Sequence, residues 1–158
     1  VTMIIATKFF GDIEIKPQDI LEFPGGLPGF EDVKRFVLLN MEEKGIYQVL
    51  QSIDQPQVAL IVTNPYLFLK DYSFDLDGKT LELLEIESPK DVIILSVVTL
   101  RTPFSETTVN LQAPVVVNYN RNKGKQVILN DTSYHTRHLL ASFRKEEKQR
   151  VSAESENK

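Results

Sequence analysis

The chain has 158 residues, of which 42% are hydrophobic and 25% are charged, as expected for one globular domain with a sizeable core. It contains no cysteine, which excludes a disulfide framework, cysteine-ligated metal sites and cysteine nucleophiles. The net charge of −4 disfavours nucleic acid and anionic membranes as partners and suits a basic protein, although mild acidity more often reflects solubility alone.

Hydrophobic alternation predicts a chain made mostly of strands, because a half-buried strand presents every second side chain to the core. The connections between these segments are short and rich in turn residues, which favours antiparallel pairing. We therefore expect a mainly β, single-domain antiparallel barrel, or a barrel-like sandwich, of about ten short strands with one or two short helices. The predicted strands are Thr2–Thr7, Gly11–Lys16, Ile20–Phe23, Arg35–Leu39, Ile46–Ser52, Val58–Val62, Val92–Leu100, Thr107–Gln112, Pro114–Asn120 and Lys125–Asn130.

Two turn segments depend on glycine. Residues 24–30 (Pro-Gly-Gly-Leu-Pro-Gly-Phe) lack the order of a phosphate-binding loop and are expected to form a rigid turn pair that presents Leu27 and Phe30. The spacer Arg121-Asn122-Lys123-Gly124 is expected to be a hairpin loop in which Gly124 supplies a positive φ.

Helix signals are confined to two places. Asp77 followed by an apolar run that stops at Ser88-Pro89 predicts one helix of two to three turns. A second helix is expected to begin near Ser133, with Leu139, Leu140 and Phe143 packed onto the barrel. We expect residues 1–143 to form the barrel domain and residues 144–158, which offer no apolar face, to form a flexible polar tail.

Catalytic and metal-binding groups are few. His135 and His138 are the only histidines, and without a carboxylate nearby a solvated or capping role is favoured over a metal site. Residues 73–84 resemble a calcium loop only at Asp75, Asp77 and Gly78, and lack its first and last carboxylates. We expect neither a cofactor nor a metal, and no enzymatic activity. No apolar stretch is long enough to span a membrane and no secretory signal is recognisable, so cytoplasmic residence is expected.

The aromatic loop, residues 64–75 (Asn-Pro-Tyr-Leu-Phe-Leu-Lys-Asp-Tyr-Ser-Phe-Asp), follows an apolar strand and mixes four aromatic rings with acids. Large rigid side chains beside acidic residues are typical of a surface that binds a basic protein. The alternative interpretation is that the rings close one end of the barrel. The two interpretations are compatible.

Six segments match, in order and spacing between about Thr7 and Leu140, those of one family. They are Thr7–Ile15, Phe23–Glu31, Val49–Ser52, Val62–Tyr66, Val109–Asn118 and Gly124–Asp131. Together they resemble the bacterial flagellar assembly factor FliW. This resemblance implies a small non-enzymatic β barrel with two protein partners. One is flagellin, and the other is CsrA, an RNA-binding regulator that represses flagellin synthesis. The implied mechanism is partner switching by mass action, since the factor sequesters the regulator once flagellin has been exported.

The candidate partner-binding residues come from surface chemistry and not from a family motif. Two groups are proposed, the aromatic loop and an outward polar strand face, and they comprise Tyr66, Leu67, Phe68, Asp71 and Tyr72 in the loop with Asn118 and Asn120 on the strand. An alternative function is a small-ligand-binding barrel with or without hydrolytic activity, which a deep pocket would favour. A nucleic-acid-binding barrel lacks the basic stacking face that it would need, so no direct nucleic-acid or membrane partner is expected.

Overall fold

A computed structural model describes residues 1–130 and 133–143. Within this part of the chain the backbone forms eleven strands, the short α-helix α1 and four 3-10 helices, and it is helical again over residues 140–143. The strands are β1 Met3–Ala6, β2 Asp12–Ile15, β3 Leu21–Glu22, β4 Arg35–Asn40, β5 Tyr47–Ser52, β6 Ala59–Thr63, β7 Val92–Thr99, β8 Thr108–Val109, β9 Val115–Asn118, β10 Lys123–Gln126 and β11 His138–Leu139. The helix α1 is Gly78–Leu83, and the 3-10 helices are Pro17–Asp19, Pro65–Leu67, Pro89–Asp91 and Phe104–Glu106.

Seven of the strands close into a ring. They follow the order β7-β6-β5-β4-β3-β10-β9, and β9 pairs again with β7. The predicted barrel is therefore confirmed. Every pairing in the ring is antiparallel except that between β3 and β10. This pairing is parallel and places Glu22 opposite Lys123. Strands β8 and β11 extend the sheet from β7, and β1 and β2 form a separate hairpin.

The barrel interior is filled by large apolar side chains from most of the ring. Phe23 and Phe36 are fully buried and meet edge to face, with ring centroids 5.1 Å apart. Leu50, Val62 and Val115 pack into the same cluster. Such a filled interior is typical of a small barrel whose strands enclose side chains and no channel.

Gly124 has a different role from the one predicted. It lies within β10, and the residue with positive φ in this turn is Asn122 at 54°. A Cβ atom on Gly124 would stand 2.5 Å from the Cζ atom of Phe23. Glycine is required here because the Phe23 ring packs directly on the backbone of β10.

The first turn segment also differs from expectation in one residue. Gly26 and Gly29 adopt positive φ values of 66° and 85°, as the turn pair requires. Leu27 is buried in the barrel core, so the expectation that it is presented at the surface is wrong. Phe30 is exposed as expected.

The first predicted helix is confirmed as α1. The Asp77 carboxylate caps it by accepting a hydrogen bond of 2.7 Å from the Thr80 backbone N–H. The second helix does not begin near Ser133, because residues 133–137 form turns and bends and β11 follows them. Helical backbone starts only at Leu140, which is fully buried. The predicted tail at 144–158 lies outside the described residues, and the division at 143 stays a prediction.

Two further clusters cover the outside of the barrel. The β1–β2 hairpin packs Ile5 and Ile15 onto Val37 and Ile53. On another part of the surface, the aromatic loop and the segment leading into β11 cover the outer face of β7 and β8. Among the described residues, no helix is both long and apolar enough to cross a membrane.

Candidate functional site

The aromatic loop begins where β6 stops pairing. The Asn64 side chain accepts a hydrogen bond of 2.9 Å from the Tyr66 N–H and so caps the short helix Pro65–Leu67. Pro65 has no N–H to give to a sheet and its fixed φ suits the first position of a helix. The chain therefore turns away from the sheet at Pro65.

Tyr72 anchors this loop to the barrel. Its side chain is only 2% exposed, and its hydroxyl donates a hydrogen bond of 2.6 Å to the Leu111 carbonyl. Its ring contacts those of Tyr66, Phe74 and Tyr134, at centroid distances of 5.8, 5.3 and 4.8 Å. Burial raises the pKa of the Tyr72 phenol, so the hydroxyl stays a donor. We predicted Tyr72 to be a partner-binding residue at the surface, but it is buried and supports the loop from below.

Some residues of the loop near Tyr72 are exposed, and others are packed against the barrel. Tyr66 and Leu67 are 38% and 50% exposed, and Asp71 is exposed as well. Phe68 is half-buried against the cluster that contains Tyr72. The buried rings pack in a cluster on the outer face of β7 and β8, separate from the barrel core, so they do not close an end of the barrel. Tyr66, Leu67 and Asp71 keep exposed surface, and binding of a partner there stays a prediction.

Asn118 does not belong to an outward polar face. It is 1% exposed, and its amide donates hydrogen bonds of 2.8 and 3.2 Å to the carbonyls of Leu84 and Glu85. These carbonyls end α1, where Glu85 has a positive φ of 53°. The prediction of an outward Asn118 is wrong because an unpaired helix end beside the strand requires a buried donor.

Asn120 is exposed, as predicted, and supports a neighbouring segment. Its amide lies 3.3 Å from the Asp91 carboxylate, and its backbone N–H donates to the Asn118 side chain at 3.1 Å. Tyr119 donates to the Lys90 carbonyl at 2.8 Å. The end of β9 thus holds the segment from Leu84 to Asp91 in place.

A surface groove of about 950 Å³ lies between these elements. Its floor is the first half of β7, Val92 to Leu95, and the aromatic loop forms one wall through Tyr66 and Phe74. The other wall is α1 and the residues on either side of it. Its apolar lining there comes from Leu76, Leu81 and Ile86. Sequence reasoning missed these residues as a site, although the apolar run of α1 includes a residue, Leu81, that stays 37% exposed.

The segment that forms most of the groove walls is acidic. Residues 71–91 contain seven acidic and two basic residues, a net charge of −5 that exceeds the −4 of the whole chain. Asp75 and Glu87 line the groove and are exposed. The Thr80 hydrogen bonds lower the pKa of Asp77, and the hydrogen bond from Lys123, 3.1 Å away, lowers that of Glu85. Both carboxylates therefore stay ionised at neutral pH.

The two histidines make a local contact. The rings stack with centroids 5.2 Å apart, and His138 Nε2 accepts a hydrogen bond of 2.8 Å from the His135 N–H. Burial, with a smaller effect of His135, lowers the pKa of His138. Residues 1–130 and 133–143 contain no group of three or more histidine, cysteine or carboxylate side chains placed to hold a metal ion.

The fold and this surface define a small closed β barrel with an external aromatic and acidic groove. Residues 4–140 match the family model described as FliW protein, so the chain belongs to the FliW family. It is 48% identical over 138 residues to the flagellar assembly factor FliW of Bacillus velezensis and 43% identical to that of Bacillus subtilis. Each match covers 87% of this chain and 96% of the relative.

A solved structure agrees with this assignment. The crystal structure of the flagellar assembly factor FliW superimposes with a TM-score of 0.83 at 43% identity, covering 87% of this chain and 96% of that one. The mainly β barrel architecture is thus shared with the family. The predicted family resemblance is confirmed.

Proposed function

We propose that this chain is a non-enzymatic, cytoplasmic flagellar assembly factor that binds flagellin and, when free, binds a CsrA-type RNA-binding regulator and so relieves repression of flagellin translation. Family membership supports the flagellar role. Tyr66 lines the groove and is exposed, as are Leu67 and Asp71 of the same loop, and this is the observation that supports binding of a basic partner. A cytoplasmic location follows from this function, because the regulator acts on messenger RNA.

Electrostatics supports the choice of partner. A groove of one charge sign speeds the encounter with a partner of the opposite sign, and RNA-binding proteins are basic where they contact phosphate. The same negative charge opposes direct binding of RNA to this chain. The apolar side chains on the rim would then supply most of the affinity, since a few well-buried anchors dominate protein interfaces.

The alternative, a ligand-binding or hydrolytic barrel, gains no support from the barrel interior. Phe23, Leu27, Phe36 and Leu50 are each no more than 1% exposed and fill the space that a ligand would need. The groove lies outside the ring, on the outer face of β7, where a protein partner has access to it.

Calorimetric titration of this protein into a purified CsrA-type regulator, and separately into flagellin, tests the proposal at physiological salt. We expect saturable binding in both cases. Leu67→Ala should weaken binding about tenfold because it removes an exposed apolar anchor. Asp71→Lys should slow association and reduce its salt dependence. Phe68→Ala is a poorer test because Phe68 also packs against the core.

The β1–β2 hairpin supplies matched controls. Ile4 and Glu14 are exposed cross-strand partners there, so Ile4→Ala and Glu14→Lys repeat the same chemical changes away from the groove. These two variants should bind as the unmodified protein does. Unchanged affinity in a folded Leu67→Ala, Asp71→Lys double variant would remove the aromatic loop from the interface. No binding to the regulator at high concentration would leave flagellin as the expected partner and favour the ligand-binding alternative.

A further inference from the structure

The floor of the groove contains a strand edge that no other strand covers. On one edge, β7 pairs with β9 from Val92 to Leu95. On the other edge it pairs with β6 only at Ser96 and Val97. Continuing that register would place Pro65 opposite Ile94. Proline cannot donate to a sheet ladder, and at this residue the chain leaves the sheet as a 3-10 helix.

The direction of the backbone groups follows from one hydrogen bond. The Val97 carbonyl accepts from the Asn110 N–H at 2.9 Å, on the β8 side of β7. Backbone groups alternate between the two edges along a strand, so those of Leu95 and Ile93 point toward β9. Those of Ile94 and Val92 point toward the groove. No other described residue hydrogen-bonds the N–H or C=O groups of Ile94 and Val92 on that edge.

The side chains that line the groove suit the side chains of an added strand. Apolar side chains of Phe74, Leu76 and Ile86 line it, which suits the alternate side chains of an extended peptide. Asp75 and Glu87 are exposed at the lining and form no ion pair with any described residue. A helix could use the apolar walls but could not satisfy the open backbone groups of β7.

We infer that the groove binds an extended, basic segment of a protein partner, which adds to the free edge of β7 as one more strand. Backbone hydrogen bonds to Val92 and Ile94 fix the register of the segment, and lysine or arginine side chains reach Asp75 and Glu87. The inference rests on the proposed partner-binding function and specifies the conformation and charge of what is bound.

Amide hydrogen exchange, monitored by NMR, tests the inference by comparing the exchange rates of neighbouring amides in β7. The probe is the CsrA-type regulator, first shown by titration to bind. In the free protein the amides of Val92 and Ile94 should exchange rapidly, while those of Ile93 and Leu95 exchange slowly because they are bonded to β9. At saturation with the regulator, exchange at Ile94 should slow at least about a hundredfold, because its N–H becomes hydrogen-bonded and shielded from water in the complex.

The outcomes separate the inference from the proposed function. Saturable binding with Ile94 still exchanging rapidly would overturn strand addition and leave partner binding intact, and so would slow exchange at Ile94 in the free protein. Absence of binding would overturn both.

A charge-reversed variant supplies an independent check. Asp75→Lys combined with Glu87→Lys should weaken binding at least tenfold and reduce its salt dependence. The matched control is Asp12→Lys combined with Glu14→Lys on the β1–β2 hairpin, which should leave affinity unchanged. Equal losses in the two double variants would show that net charge alone matters, and would overturn the placement of the basic segment in the groove.

Discussion

The barrel interior and the external groove use similar side chains for different purposes. Inside, Phe23 and Phe36 are fully buried, and even the backbone of Gly124 is in contact with a ring. In the aromatic loop, Tyr66 at the groove and the adjacent Leu67 keep 38% and 50% of their surface in contact with solvent. The interior fills all of its space, whereas the groove leaves apolar surface uncovered.

The difference shows how a small barrel keeps apolar side chains exposed in a groove on its outside. A few buried anchors hold the groove walls, and the residues between the anchors need not pack. Tyr72 holds the aromatic loop and Asn118 holds the end of α1. Exposed apolar side chains can therefore lie close to a strand edge without collapsing onto it.

Gly124→Ala should have the largest effect on stability. The new methyl group would meet the Phe23 ring within 2.5 to 2.9 Å, and that ring is fully buried and packed against Phe36. We expect a loss of about 3 kcal/mol in the free energy of unfolding, measured by urea denaturation. Gly25→Ala is the control because a Cβ there meets nothing within 4 Å, and its change should stay below about 0.5 kcal/mol. A similar loss in both variants would contradict the packing role of Gly124.

Asn118→Ala tests the anchor of the second groove wall. It leaves the buried carbonyls of Leu84 and Glu85 without their donor, so we expect a loss of about 2 kcal/mol. Asn120→Ala removes only one exposed contact, at 3.3 Å, and should cost less than about 0.5 kcal/mol. Thermal and urea unfolding of the two variants measure the contrast. Equal stability would mean that both asparagines are solvated and that the groove wall does not depend on β9.

Strand periodicity predicted most of the fold because it records which face of each segment is buried. All ten predicted strands exist, although their ends shift by a few residues. The short strand β11 was missed because the two residues His138 and Leu139 show no alternation. Leu139, Leu140 and Phe143 do have helical spacing, but helical backbone begins only at Leu140.

The site was less predictable because it depends on contacts between distant segments. Polar residues on alternate positions of β9 indicated a solvated face, but Asn118 meets the end of a helix 33 residues earlier in the chain. The open edge of β7 depends on which strand stops short beside it, and that requires the sheet order. One local signal was available, since Asn64-Pro65 directly after an apolar strand marks the point where β6 leaves the sheet.

The smallest effect on stability is expected when the hydroxyl of a tyrosine in the aromatic loop is removed, and two tyrosines of this loop can be compared. Tyr72→Phe keeps the ring contacts but removes the 2.6 Å hydrogen bond to the Leu111 carbonyl, so the free energy of unfolding should fall by about 1 kcal/mol. Tyr66→Phe changes a ring that is 38% exposed and should alter stability by less than about 0.5 kcal/mol. Partner affinity should show the opposite pattern if Tyr66 contacts the partner through its hydroxyl and Tyr72 only supports the loop. A larger loss of affinity in Tyr72→Phe than in Tyr66→Phe, with both variants folded, would show that the anchor and the binding surface cannot be separated in this loop.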